Sequence, residues 1–127
     1  MRDEQVRRYS RHIMLPDVGG LGQTALMVAA AKLPLRESEP SAELVAASYL
    51  AAGGVGTLVV PASSEAQRAD LASRGPDTKV KSSGDGREVL LAPRPAWWPS
   101  AHGDATALAF WRGGIAATAW MADVVAK

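Results

Sequence analysis

Apolar runs alternate with charged or glycine-rich breaks along this chain, and this pattern predicts alternating strands and helices. Residues 24–33 are almost continuously apolar at the length of a buried strand, although the alanines leave a helix as the second choice. Ser41 is a good N-cap for a helix through Ala52, which the Gly53-Gly54 pair ends. Residues 55–60 then predict a second buried strand, closed by Pro61. Strand, helix and strand in this order indicate a parallel βαβ unit with both faces of the sheet covered, and therefore an α/β fold.

Further elements are predicted on both sides of this unit. Residues 3–14 have a helical pattern and are followed by a glycine-rich turn at residues 19–22. Ser64 and Gln67 form a capping box for a helix to about Ser73. Residues 79–81 and 88–91 flank Gly84-Asp85-Gly86, a spacing that favours a β-hairpin.

The C-terminal part of the chain is rich in apolar and aromatic residues. Residues 105–126 predict a buried core helix rather than a membrane span, because Arg112 and Asp123 interrupt the apolar run. The large apolar side chains of this helix are predicted to pack in the core: Leu108, Phe110, Trp111, Ile115, Trp120 and Val124. Trp97-Trp98 stands between prolines. The pair is interpreted as covering one end of a small core, with a peptide-binding platform as the alternative.

Composition narrows the function. A chain of 127 residues is long enough for one domain. Its 14 basic and 13 acidic residues give a formal charge of +1, which argues against nucleic acid as a partner. It contains no cysteine, so disulfides, thiolate metal sites and thioester intermediates are excluded. His12 and His102 have no acidic cluster at metal-ligand spacing, and no metal site is expected. The charged N-terminus is unlike a secretory signal, so we expect a cytoplasmic protein without membrane contact.

Two segments carry a specific resemblance. Residues 8–23 begin Arg8-Tyr9-Ser10-Arg11 and end Gly22-Gln23, and residues 49–58 contain Gly53-Gly54-Val55-Gly56. In this order they resemble signatures of the ThiF/MoeB/HesA family, the ubiquitin-activating-enzyme-like adenylyltransferases. The resemblance implies a reduced Rossmann-like three-layer domain with a mostly parallel sheet and an N-terminal helical leader. Residues 1–23 would be the dimer-type leader, and residues 24–127 the reduced α/β domain.

The chain departs from the family pattern where the nucleotide should bind. Residues 29–40 contain no glycine and carry Glu37 and Glu39, whereas a phosphate loop needs glycines beside a helix N-terminus. Pro61 stands where the family has an acidic ribose ligand, and the metal-binding aspartate segment has no counterpart. We therefore expect no catalytic residue, no metal and no bound cofactor; ATP would bind only if the chain has kept an unusual nucleotide site.

The resemblance also assigns individual residues. Arg11 matches the arginine that reaches nucleotide phosphates in the partner subunit, and a solvated helix arginine is the alternative. Arg68 retains the arginine of a further family segment, with a weak nucleotide contact as the expectation and an ordinary capped helix as the alternative. The expected interface residues are Arg8, Tyr9, Ile13 and Leu15.

These observations predict a degenerate family member that acts as a binding or scaffold subunit and is not an enzyme on its own. Its partner would be a second copy or a full-length ThiF/MoeB-like adenylyltransferase, with a ubiquitin-like or sulfur-carrier protein as a further partner. One alternative is a residual adenylyltransferase that activates the C-terminus of such a carrier. A second alternative is a non-functional relic, because removing half of a sheet domain exposes edges and apolar surface.

Overall fold

A computed structural model describes residues 1–9, 19–35, 41–98 and 105–126. The fold is α/β and Rossmann-like with an N-terminal helix, which confirms the predicted class. In chain order the elements are α1 (Asp3–Arg8), α2 (Gly19–Met27), β1 (Ala30–Lys32), α3 (Ala42–Ala52), β2 (Thr57–Val59), α4 (Glu65–Arg74), β3 (Lys79–Lys81), β4 (Arg87–Glu88) and α5 (Ala105–Val125).

The four strands form one sheet in the order β3-β2-β1-β4, and every neighbouring pair is parallel. Ala31 pairs with Leu58, and Leu58 pairs with Val80. The βαβ prediction is thus confirmed, with α3 connecting β1 to β2 and α4 connecting β2 to β3.

One core joins the helices to one face of the sheet. Leu26 of α2, Leu50 of α3, Leu71 of α4 and Trp120 of α5 belong to the same buried cluster as Ala31 and Leu58. Because strand side chains alternate, Lys32, Lys79 and Lys81 point to the opposite face, and the latter two are exposed. The sequence predicts helices on both faces of the sheet. In the described ranges, helices pack on one face.

The predicted ends of α3 and α4 are confirmed by hydrogen bonds. Ser41 Oγ accepts the Leu44 amide at 3.2 Å, and Ser64 and Gln67 form the reciprocal capping box. After α3, the Val55 amide bonds to the Leu50 carbonyl at 3.1 Å, and Gly54 has a φ of +84°. This left-handed glycine is the usual stop of a Schellman motif.

Two N-terminal predictions are wrong in part. The glycines at 19–22 begin helix α2 instead of forming a turn, and residues 24–27 continue that helix, so the strand is confined to Ala30–Lys32. Burial of Gln23 and Leu26 holds this glycine-containing segment in a helix. The division at residue 23 stays a prediction, and its boundary lies inside α2. Helix α1 ends at Arg8 with Tyr9 as its cap, and residues 10–14 of the predicted helix lie outside the described residues.

The predicted hairpin is also wrong. β3 and β4 lie at opposite edges of the sheet, because the connection at residues 82–86 crosses it and β4 pairs in parallel with β1. Contacts with α5 stabilise β4 there: Trp120 Nε1 donates to the Arg87 carbonyl at 3.1 Å, and Arg87 forms an ion pair with Asp123. These tertiary contacts outweigh the local turn signal.

Helix α5 is a core helix, as predicted, and its packing face agrees with the predicted one in part, since Trp120 is buried and Val124 packs against the core. The buried positions are mostly small, namely Ala109, Gly113, Ala116, Ala117 and Trp120, whereas Phe110 and Ile115 are exposed. No helix in the described part of the chain is long and apolar enough to cross a membrane.

Candidate functional site

The N-terminal leader is anchored to the domain by a buried tyrosine. The Tyr9 side chain is only 3% exposed, and its ring lies against Gly54 at the end of α3. A Cβ atom at Gly54 would lie 2.7 Å from Tyr9 Cζ, and the backbone there already has a left-handed φ of +84°. Glycine is therefore required at position 54 for two reasons: it ends α3 with a left-handed backbone, and it leaves space for the Tyr9 ring.

Gln23 completes this contact from α2. Its side chain is fully buried, and Nε2 donates to the Gly53 carbonyl at 2.9 Å. The segments that carry the family resemblance, around Tyr9, Gln23 and Gly53-Gly54, thus meet at one place. We call this place, with Arg8 and Asp77, the leader dock.

Asp77 is the shared acceptor of the leader dock. The Tyr9 hydroxyl donates to it at 2.8 Å, Arg2 Nη2 donates at 3.2 Å, and Arg8 forms an ion pair with the same carboxylate. Burial acts to raise the pKa of Asp77, but hydrogen bonds from Tyr9, Gln5 and Arg8 outweigh it, so the pKa lies below its usual value. Burial, followed by the bond to Asp77, raises the pKa of Tyr9. The dock therefore joins a charged carboxylate to a neutral phenol.

The lowered pKa of Asp77 makes the leader dock sensitive to acid. Because the folded state binds this proton less readily than the unfolded chain, the stabilisation is present above about pH 4 and is lost as the pH falls below it. We expect Asp77→Asn to lower the free energy of unfolding by about 1 to 2 kcal/mol at pH 7 and by less at pH 3. Urea denaturation at the two pH values measures this difference.

Asp70→Asn is the control for that experiment. Asp70 pairs with Arg74 within α4 at 3.1 Å, and both side chains are more than half exposed, so its loss should cost a few tenths of a kcal/mol at most. If wild type and Asp77→Asn lose stability in parallel between pH 5 and pH 3, Asp77 is not the group that titrates.

The N-terminus of α3 lies where Rossmann-like folds bind phosphate, after the carboxyl end of β1. In this chain, a side chain in the first turn of α3 already forms a hydrogen bond with the segment that precedes the helix. Glu43 is buried, and its Oε2 accepts the Leu35 amide at 2.8 Å, while Leu35 has a φ of +53°. A buried carboxylate in the first turn opposes a bound anion, so this helix end is unsuited to phosphate.

Of the other predicted site residues, Arg68 alone lies in the part of the chain that the structure describes. Arg11, Ile13, Leu15 and both histidines lie outside the described residues. Arg68 Nη1 donates to the Ser63 carbonyl at 2.7 Å, and its nucleotide role stays a prediction. Among the described residues, no group of three His, Cys, Asp or Glu side chains could hold a metal ion.

The tryptophan pair lies beside α5. Trp97 and Trp98 both contact the Trp111 ring, with centroid distances of 5.7 and 6.3 Å. Trp98 Nε1 is buried without a hydrogen-bond partner among the described residues, and Trp97 is exposed. Both interpretations of the pair, a cover for the core and a peptide-binding platform, stay predictions.

The resemblance contains Tyr9, Gln23 and Gly54, with Tyr9 as a predicted interface residue, but it did not predict that they contact one another or Asp77. That residue carries only a local turn signal, Pro76-Asp77, which says nothing of a partner 68 positions earlier. No protein-family model and no curated protein sequence matches this chain.

Proposed function

We propose that this chain is a degenerate ThiF/MoeB/HesA-like protein that lacks its own ATP site and acts as a binding or scaffold subunit. It pairs with a second copy or with a complete adenylyltransferase. The observation that carries this proposal is the leader dock, in which the segments of the resemblance contact one another. A chance similarity of short segments would not require them to meet.

The α3 N-terminus supports a subunit without its own nucleotide. Glu43 puts a buried negative charge in the first helical turn, and its carboxylate already accepts the Leu35 amide. An ATP phosphate at this position would meet like charge in a poorly solvated place, at a cost of several kcal/mol.

The leader dock also supports a role for Arg11 in a partner's site. Tyr9 fixes the chain two positions before Arg11, so residues 1–9 are already ordered when a partner binds. Arg8 and Tyr9 then serve as the anchor, because their side chains are engaged with Asp77. Arg11, Ile13 and Leu15 are the residues of the leader that we assign to the partner.

The polar positions of the edge strand β3 argue against a non-functional relic. Domains cut from a larger sandwich expose apolar strand side chains, which promote aggregation. Here Lys79 and Lys81 occupy the exposed positions of β3 while Val80 faces the core. The strand β3 is therefore suited to an edge whose outer side chains lie in water.

The test combines the purified chain with a complete adenylyltransferase and its carrier protein from the same cells, and measures ATP-pyrophosphate exchange. We expect no exchange from the chain alone and faster exchange by the partner when the chain is added. Arg11→Ala should lower that stimulation about tenfold or more, since a charge-assisted bond to phosphate contributes about 1.5 to 3 kcal/mol.

Arg7→Ala, an exposed arginine of the same leader, is the control and should leave the stimulation unchanged. Exchange by the chain alone with a carrier would contradict the proposal and favour a residual adenylyltransferase. Equal stimulation by wild type and Arg11→Ala would exclude the arginine from the partner's site.

A further inference from the structure

The face of the sheet that points away from the core carries every lysine in the described part of the chain. Lys32 of β1 and Lys81 of β3 lie in one row of the sheet, on either side of Val59, and Lys79 lies two positions before Lys81 on the same face. Lys79 and Lys81 are exposed, and Lys32 is half-buried. Neighbouring strands lie about 4.8 Å apart, so the backbones of Lys32 and Lys81 are about 10 Å from each other. Their long, flexible side chains can therefore reach a common ligand.

The connection at residues 82–86 crosses the same face of the sheet. A Cβ atom at Gly84 would lie 3.8 Å from Val59 Cγ2, and one at Gly86 would lie 3.3 Å from Lys32 Cβ. The Ser82-Ser83 pair at the start of the connection is exposed. The connection therefore brings two hydroxyl groups and a glycine-containing backbone close to the lysines. We call the three lysines and this connection the lysine face.

The hydrogen-bond donors of the lysine face are not used by the described part of the chain. None of its three lysines forms an ion pair with a described residue, whereas Arg8, Arg74 and Arg87 each pair with an aspartate. The hydroxyl groups of Ser82 and Ser83 form no hydrogen bond with described residues, although the serines that cap α3 and α4 do. Five side-chain donors on one surface are thus available to a ligand.

These donors fit a single phosphate group. Lysine binds phosphate as a point charge, and hydroxyl and backbone N–H groups supply further donors to such sites. A planar carboxylate is better bound by the fork of an arginine, and Arg87, the arginine of the strands, is paired with Asp123 of α5 instead. Asp85 in the connection and Glu88 beside Lys32 keep the net charge of the surface small. Nucleic acid, which needs on the order of six to ten phosphate contacts, would find too few here.

We propose that the lysine face binds a phosphate group, either free phosphate or the phosphate of a small molecule. The three lysines supply the positive charge, and the Ser82-Ser83 pair supplies hydrogen bonds. This site goes beyond the proposed function and is independent of it, because it shares no residue with the leader dock and requires no partner protein. It is also separate from the N-terminus of α3, where the buried Glu43 opposes an anion.

Titration of the ¹⁵N-labelled chain with inorganic phosphate at low salt, followed by NMR, tests the site. We expect saturable shifts of the amides of residues 82–86, with a dissociation constant of about 1 mM or less. Lys81→Gln should raise this constant about tenfold or more, as expected for the loss of one charge-assisted hydrogen bond. Arg94→Gln is the matched control, since it removes the same charge from an exposed residue outside the lysine face. It should leave the dissociation constant unchanged.

Two further measurements keep the test decisive. Lys79→Gln, at a second exposed position, should weaken binding in the same way, and it replaces Lys81→Gln if that variant fails to fold. A titration with glycerol phosphate separates the two sources of the phosphate group: tighter binding than inorganic phosphate assigns the site to a phosphate monoester, and equal or weaker binding assigns it to free phosphate. The proposal is overturned if neither compound gives saturable shifts below about 10 mM, or if Arg94→Gln weakens binding as much as the lysine variants.

Discussion

Replacing Gly113 with alanine is expected to destabilise the protein, whereas the same change at the neighbouring Gly114 is expected to stabilise it. Both residues lie inside α5, so both gain about 0.8 to 1 kcal/mol of helix propensity from alanine. At Gly113 a Cβ atom would lie 2.6 Å from the Ala42 carbonyl oxygen and 2.7 Å from Val45 Cβ. At Gly114 the nearest atom is Tyr49 Cε2 at 3.6 Å, an ordinary contact.

The difference between these two variants isolates the packing of α5 on α3, because the propensity gain is common to both. Overpacking of this kind costs about 1 to 3 kcal/mol. We therefore expect Gly113→Ala to be less stable than Gly114→Ala by about that amount. Urea denaturation followed by circular dichroism measures both free energies of unfolding.

Two results would contradict this account. Equal stability of the two alanine variants would mean that α3 and α5 do not approach closely at Gly113. A stabilised Gly113→Ala together with a destabilised Gly114→Ala would place the other face of α5 against α3.

The helices α3 and α4 could be predicted because their signals are local. Ser41 and Ser64 accept hydrogen bonds within the first turns that they cap, and Gly54 ends α3 through its own backbone angle. The parallel βαβ order followed from apolar strands on either side of such a helix. None of these features depends on a distant contact.

The position of β4 could not be predicted for the opposite reason. Gly84-Asp85-Gly86 permits a tight hairpin and equally permits a connection that crosses the sheet. The choice is made by Trp120 and Asp123, which hold Arg87 beside α5 from more than 30 positions away. A local pattern does not contain that information.

The packing face of α5 is predictable only in part: Trp120 is buried as its size suggests, but Phe110 and Ile115 are exposed. Close approach to α3 requires small residues, so Gly113, Ala116 and Ala117 are buried while Phe110 is exposed. The leader dock could be predicted only in part. The resemblance contains Tyr9 and Gly54, but a single sequence gives no information on which distant residue Tyr9 contacts, and so Asp77 could not be identified.

Replacing Tyr9 with alanine should cost more stability than any other single change in the leader dock. The variant loses a ring that is only 3% exposed and leaves a cavity beside Gly54, which has no side chain to fill it. It also loses the hydrogen bond from the Tyr9 hydroxyl to Asp77. Truncation of a buried aromatic costs about 3 to 5 kcal/mol, a large part of the 5 to 15 kcal/mol that stabilises a typical domain. We expect α1 to detach from the domain and unfold in the same variant. Faster hydrogen exchange of the backbone amides of residues 6 and 9, which are hydrogen-bonded within α1, would detect this change.

Tyr9→Phe separates the ring from the hydroxyl. It keeps the packing and removes one hydrogen bond, and Asp77 retains Arg2 and Arg8, so the cost should be about 0.5 to 1.5 kcal/mol. Because the pKa of Tyr9 is raised in the folded protein, its stabilisation is present below about pH 10 and is lost as the pH rises through the folded pKa; Tyr9→Phe should abolish that loss.

Tyr49→Ala is the matched control, since the chain has two tyrosines and Tyr49 is 48% exposed on the outer surface of α3. At concentrations where the chain is a monomer, its cost should stay below that of Tyr9→Ala by about 2 kcal/mol or more. If both alanine variants lose the same stability and α1 keeps its protected amides, the leader is held by contacts other than the Tyr9 ring. The proposal that Tyr9 holds the chain in place next to Arg11 would then be wrong.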